Sequence, residues 1–378
     1  MFNQTHLRVR ALALSAGILL LALVAGACSQ AAPAPTAEPT KAAAPTAASA
    51  PTAASADPTA APEKTAAPAA TAQSETGAKT DYPTKPITYI VPWAAGGPMG
   101  TGVLTMGAYL EKELGQQIQL VYKPGATGQV GLTEFIATSK PDGYVLTGLN
   151  SPNSESTWLD PERAAVYKRS DFAPIALQVL DPNTFSVRSD SPYKTMDDVI
   201  KAAKENPETV VTGDGGLMSD DHLALLLLQK QTGATFAMSH YDGGAPSRTA
   251  LQGGHIDMMV GNIVDAMVGY KNGTFRVLGI ASEERSPLMP DVPTMKEQGY
   301  DILAATARGW VAKAGTPPEV IQKIEAAMKK VDAMPEYREK MEAAGLPVKF
   351  LSSADYDKYL ENEEARVSEL LKDLKETK

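Results

Sequence analysis

ITYIVPWAAGGPMGTGVLTMGAYLEKELG, residues 87–115, carries the signals that decide the fold. Ile87–Val91 is a β-branched, apolar run of strand length. Pro92-Trp93 ends it, and Ala95-Gly96-Gly97-Pro98-Met99-Gly100 makes a glycine-rich turn. Apolar residues then recur at helical spacing from Val103 to Leu114, and Gly115 stops them. The unit of strand, glycine loop and helix repeats: strand Ile118–Tyr122, loop Pro124–Gly128, a helix around Val130–Ala137, strand Tyr144–Leu149. Further on come helix Met196–Lys204, strand Thr209–Thr212, helix Asp221–Gln231, strand Phe236–Tyr241 and helix Ala245–Gln252. Strand Ile256–Val260, helix Ile263–Tyr270 and strand Phe275–Ala281 follow. Such alternation implies an α/β protein with mostly parallel sheets and helices on both faces. Pro317–Met334, Pro335–Ala344 and Ala354–Lys375 read instead as successive helices rich in Glu and Lys.

In open α/β sheets ligands sit beyond the carboxyl ends of strands, where helix N-termini present unpaired N–H groups. Three loops stand there: Pro92–Thr101, Gly125–Gly131 and Gly213–Asp221 (GDGGLMSDD).

Upstream, Arg8 and Arg10 precede an apolar run from Ala11 to Ala27, which ends in Ala25-Gly26-Ala27 and the chain's single cysteine, Cys28. A basic head, an apolar core and small residues form a secretory signal. A cysteine directly after them resembles a bacterial lipoprotein signal, in which it is acylated and becomes the new N-terminus. Residues 1–27 are therefore expected to be removed. Residues 28–81 follow as a tether of Ala, Pro and Thr without a core-forming residue until the folded part begins. The expected location is extracytoplasmic, anchored to the cell membrane through lipidated Cys28. Losing Arg8 and Arg10 takes the formal charge from −9 to −11, which argues against nucleic acid as a partner. One cysteine excludes disulfides within the chain.

No catalytic set assembles. Gly97, Gly100 and Gly102 follow a strand but do not have the spacing of a dinucleotide fingerprint. His222, His240, His255, Asp220, Asp221 and Asp257 show no metal-binding pair spacing, so no metal and no cofactor is expected. Ser191-Pro-Tyr-Lys194 matches the SxxK of penicillin-recognising enzymes but falls in a Pro-containing loop without a KTG partner. Asp197 and Asp198 read as the first turn of a helix.

Six motifs in order then carry a family resemblance: YPTKPITYIVPWAAGGP (82–98), KPGATGQVG (123–131), PDGYVLTG (141–148), YDGGAPSRTALQGGHIDMM (241–259), GTFRVLGIASEERSPLMPDVPTMKEQGY (273–300) and GTPPEVIQKI (315–324). From Tyr82 onward the chain resembles the extracytoplasmic substrate-binding receptors of the tripartite tricarboxylate transporters, also called Bug receptors. The resemblance implies a type II periplasmic-binding-protein fold, with two α/β lobes closing on a small carboxylate that passes to membrane carrier subunits. It implies a monomer with one lobe from residues 82–183 and 303–378, the other from 184–302, and crossings near Leu180–Arg188 and Ile302–Val311. Ligand-binding positions carried over are Trp93, Ala95, Gly96, Gly97, Met99 and Thr101, with Asn150, from the first lobe. From the second they are Gly215, Met218, Ser219, Asp220, His222, Tyr241 and Asn262. The chain departs from the family at Gly100, where an acid is common, at Asp242, where a lysine is common, and at Asp220 and Asp221. Two carboxylates at a helix opening, with no Lys or Arg in the matched loops, lead to the expectation of a monocarboxylate, an amino acid whose ammonium meets Asp220, or an amide. A sensory subunit or an anchored enzyme on the same fold is the alternative.

Overall fold

The computed structural model describes residues 81–376, with side chains as far as residue 372; the expected signal segment, Cys28 and the expected tether up to residue 80 lie outside the described residues. The chain opens with β1 (Ile87–Val91), α1 (Pro98–Leu114), β2 (Ile118–Tyr122), α2 (Gln129–Thr138), β3 (Val145–Ser151) and α3 (Asn153–Leu159). A long strand, β4 (Phe172–Arg188), leads to α4 (Met196–Glu205), β5 (Val211–Asp214), α5 (Asp220–Thr232), β6 (Ala237–His240) and α6 (Gly244–Gln252). Next come β7 (Met258–Asn262), α7 (Ile263–Lys271), β8 (Phe275–Ile280) and β9 (Ala305–Lys313). α8 (Pro318–Asp332), α9 (Pro335–Ala343), β10 (Val348–Leu351) and α10 (Ser353–Glu376) finish it.

The strands run in the order β2-β1-β3-β9-β4-β7-β5-β6, with β8 and β10 also paired to β4. β4 is shared between two α/β lobes. Its residues Phe172–Pro182 pair with β9, whereas Asn183–Arg188 pair with β7 and β8. The expectation of mostly parallel sheets needs correction. β1 pairs parallel with β2 and β3, and β5 with β6 and β7. Every pairing of β4 and β9 is antiparallel. The cause is topological, because the strands that carry the chain between lobes do not belong to strand–helix–strand repeats.

Both faces of each half are buried, and the strand period of two decides which residue goes where. In β1, Tyr89 and Val91 join α1, α8 and α9 in one core, while Ile90 joins α2 and α10 in another. In β7, Met258 and Val260 pack with α4 and α5, and Met259 packs with α6 and α7. The first-lobe core holds one satisfied polar cluster: Trp310 Nε1 donates to Gln178 Oε1 (2.8 Å), and Gln178 Nε2 donates to the Gly102 carbonyl (2.8 Å) and Tyr337 Oη (3.1 Å). Its groups are paired, so burying them costs little.

α1 begins five residues before the expected helix. Gly97 is its N-cap and Pro98 its first residue, a position where the missing N–H of proline costs nothing. Met99 and Thr101 thus lie in the first helical turn and not in the loop.

Candidate functional site

A cavity of about 970 Å³ lies between the lobes. The first lobe lines it with Trp93–Met99, Thr101 and Pro124–Gly128, and the second with Gly215, Ser219–Asp221 and Asp242–Pro246. Arg248 from α6, Asp265 from α7, and Thr306 and Arg308 from β9 complete its polar wall, with Val264 beside them. The first turns of α1, α6 and α7 converge there. Their N-caps Gly97, Gly243 and Asn262 make no side-chain hydrogen bond to the helix. The openings of α1 and α6 present N–H groups and a positive dipole end, which together favour an anion; at α7 the Ile263 N–H is already taken by Asp181.

Tight turns shape this wall. Gly128, at φ +89°, leaves room for the Trp93 indole, since a Cβ there would stand 2.9 Å from the ring. A Cβ on Gly131 would meet the Lys123 carbonyl and Pro92 Cα, each at 2.8 Å. These glycines hold the first-lobe loops against each other.

The cleft floor is a charged network. Ser219 caps α5 by accepting from the His222 N–H (3.3 Å), so α5 enters with its first turn fixed. Asp220 and Asp221 follow, and both are turned inward, with 5% and 4% of their surface exposed. Asn183 Nδ2 donates to Asp220 Oδ2 (3.0 Å) and to Asp221 Oδ1 (2.7 Å). Asn262 Nδ2 (2.8 Å) and Thr306 Oγ1 also donate to Asp220 Oδ2, and the Gly215 N–H donates to Asp221 Oδ2 (3.0 Å). Burial, with Asp220 alongside, pushes the Asp221 carboxyl well above its ordinary range. Arg308 Nη1 donates to Asp181 Oδ2 (2.9 Å) and Nη2 to Asn262 Oδ1 (3.2 Å), while the Ile263 N–H donates to Asp181 Oδ1 (3.1 Å). Burial outweighs Arg308 and pushes Asp181 up to about 7.

Of the expected ligand residues, Trp93, Ala95, Gly96, Gly97, Met99, Thr101 and Asn150 meet at the cavity from one side. Gly215, Ser219, Asp220 and Asn262 meet them from the other. Asp220, expected to meet an ammonium, lines the cavity, but its Oδ2 already takes three internal donors. Met218, His222 and Tyr241 are not among the lining residues. Met218, held at φ +64°, packs with Leu223, Val367 and Leu370. His222 Nδ1 accepts from the Met218 N–H (3.0 Å), and burial with His240 nearby lowers its pKa to about 4. Tyr241 packs beside the core formed by α6 and α7. His240 Nδ1 lies 2.9 Å from Asp214 Oδ2. Ser191 and Lys194 make no catalytic pair, since the lysine donates to the serine's own carbonyl. Among the described residues, no three His, Cys, Asp or Glu side chains are placed to hold a metal ion.

Sequence reading missed Arg248, Asp265, Thr306 and Arg308. Neither matched loop carries a cation, yet two arginines reach the cleft from a helix face and a crossing strand. Arg248 and Asp265 lay inside recognised segments, and no local spacing marked them as cleft residues.

A sequence profile described as "Tripartite tricarboxylate transporter family receptor" matches residues 104–375. A Cupriavidus necator protein, "UPF0065 protein in gbd 5'region", is 31% identical over 284 residues, which is 74% of this chain and 84% of that one. The crystal structure of a TctC solute binding protein from Polaromonas is similar, at 29% identity and a TM-score of 0.67 over 77% of this chain and 99% of that one. MatC from Rhodopseudomonas palustris, solved with bound malate, is similar at 25% identity and a TM-score of 0.67, over 76% of this chain and 99% of that one.

Proposed function

Because the chain belongs to the tripartite tricarboxylate transporter receptor family, we propose that it is an extracytoplasmic receptor that captures a small carboxylate between its lobes and delivers it to a membrane carrier. The observation that carries this reading is the convergence of the uncapped N-termini of α1 and α6 on one interlobe cavity. N–H groups and dipole ends hold a carboxylate without chemistry, and a micromolar ligand needs only about −8 kcal/mol. The malate held by the similar Rhodopseudomonas protein supports a carboxylate as the ligand class. Lobes 82–183 with 303–378, and 184–302, would hinge on β4 and β9, the strands that link them. Cys28, acylated, would keep the receptor beside its carrier.

The test is mass spectrometry of small molecules released from the purified protein, followed by solution scattering with and without the molecule found. Release of a carboxylate and a smaller radius in its presence are expected. Turnover of that molecule, or an unchanged radius with tight binding, would sink the reading.

A further inference from the structure

The second lobe presents one ion pair that is left open to the cleft. Arg248, on α6, and Asp265, in the first turn of α7, face each other with Nη1 and Oδ1 4.0 Å apart. That distance is beyond a direct hydrogen bond. Both line the cavity, and their side chains keep 27% and 17% of their surface exposed. The neighbouring pair shows the contrast. Arg308 and Asp181 are 2.9 Å apart, 7% and 0% exposed, and tied further to Asn262 and Ile263. One pair is sealed into the frame; in the other the Asn262 backbone N–H approaches Asp265, but the guanidinium and the carboxylate both keep surface open to the cavity.

The position of Asp265 is built into the backbone. A Cβ on Gly244, the first residue of α6, would stand 2.3 Å from the Asp265 carboxyl carbon. Only glycine there admits that carboxylate to the mouth of α6.

Charge then decides what fits between the two poles. In the cleft and directly beneath it, Asp181, Asp220, Asp221, Asp242 and Asp265 face only Arg248 and Arg308. Five carboxyl groups thus stand against two guanidinium groups, and acids are in excess. A second or third ligand carboxylate adds to that excess, a hydroxyl leaves it unchanged, and an ammonium relieves it.

We propose, resting on the receptor reading above, that Arg248 and Asp265 are the two poles of a subsite for a zwitterion. Arg248 takes the ligand's carboxylate and Asp265 its ammonium, so the solute class is an α-amino acid. Entry of the ligand replaces one loose pair by two short, charge-assisted sets of hydrogen bonds.

Matched pairs that differ only in the amino group test this, titrated calorimetrically into the full-chain protein: alanine against propionate, leucine against isocaproate, glutamate against glutarate, phenylalanine against hydrocinnamate. The amino member of at least one pair is expected to bind about tenfold tighter or more. Asp265→Asn, which keeps shape and removes charge, abolishes that preference while the deaminated member holds within about threefold. Arg248→Met weakens both members together and leaves their ratio in place, which a general loss of folding would not reproduce. Equal binding within every pair, or a preference that survives Asp265→Asn, overturns the zwitterion subsite and leaves the carboxylate receptor standing. Failure of all eight compounds and of malate to bind overturns both.

Discussion

Glu155 offers a direct test of how this fold treats a buried acid. It lies on α3 with no exposed surface, and neither carboxylate oxygen has a hydrogen-bond partner. Burial pushes its pKa from 4.5 to about 8, with Glu363 and Glu364 adding to the rise; its own backbone N–H and the Ser151 hydroxyl lie close enough to oppose it but short of hydrogen-bond geometry. Between these two values the unfolded chain has lost the proton and the folded chain keeps it. The folded state therefore binds one more proton, and stability falls as pH rises, by about 1.4 kcal/mol per pH unit. From pH 5.5 to 7.5 that amounts to about 2.7 kcal/mol from this one group. Glu155→Gln keeps the volume and removes the titration. Urea unfolding of both proteins at the two pH values isolates the effect, because Asp181 and Asp221 titrate in both and cancel. Relative to wild type, the variant should gain about 2.7 kcal/mol more at the higher pH than at the lower. The same difference between the proteins at both pH values would refute the assignment of a buried, protonated Glu155.

Two further outcomes follow from the packing and the charges. Gly131→Ala drives a methyl into two backbone atoms that cannot swing aside, so thermal unfolding should show a loss of about 1–3 kcal/mol. Gly100→Ala should lose less, because its new methyl meets only the Tyr122 ring, at 2.9 Å, and that side chain is partly exposed. Above pH 7, where Asp181 ionises beside Arg308, Arg308→Met removes the cation from a buried carboxylate and should cost up to about 3–5 kcal/mol by denaturant titration, whereas adding Asp181→Asn to it should recover most of the loss.

Much of the fold was legible because each strand–helix unit carries its own signals. Gly115 and Gly233 stop α1 and α5 in left-handed conformations, and Thr195 opens α4 in a capping box with Asp198. β4 was not legible as one strand, because Pro174 and Pro182 interrupt its apolar run and proline reads as a strand breaker. β9 was hidden by Arg308 and Gly309. That arginine is buried by its pairing with Asp181, and the glycine is required because a Cβ would stand 2.3 Å from the Tyr356 ring. In the cleft, the loops were visible from their glycines, but the direction of Asp220 was not. Its partners Asn183, Asn262 and Thr306 are 37, 42 and 86 residues away, and no local pattern encodes such pairings. The same holds for Arg248 and Asp265, on separate helices brought together only by the packing of α6 against α7.

The place of β9 between β3 and β4 has a consequence for the order in which the chain matures. β3 ends at Ser151, and its neighbour on that side begins only at Ala305. Until Lys313 has emerged, β1, β2 and β3 form a small sheet with a bare edge, and the first half of β4 has no β9 to bind. From Asn183 to Ile280, in contrast, strands and helices are contiguous and need nothing from the C-terminus to pair with one another. Loop closure over so long a separation is slow, and a bare edge invites pairing with other chains. In an N-to-C order of emergence, the part that appears first is thus completed last, and its exposed edge is the segment that a holding chaperone has most reason to cover.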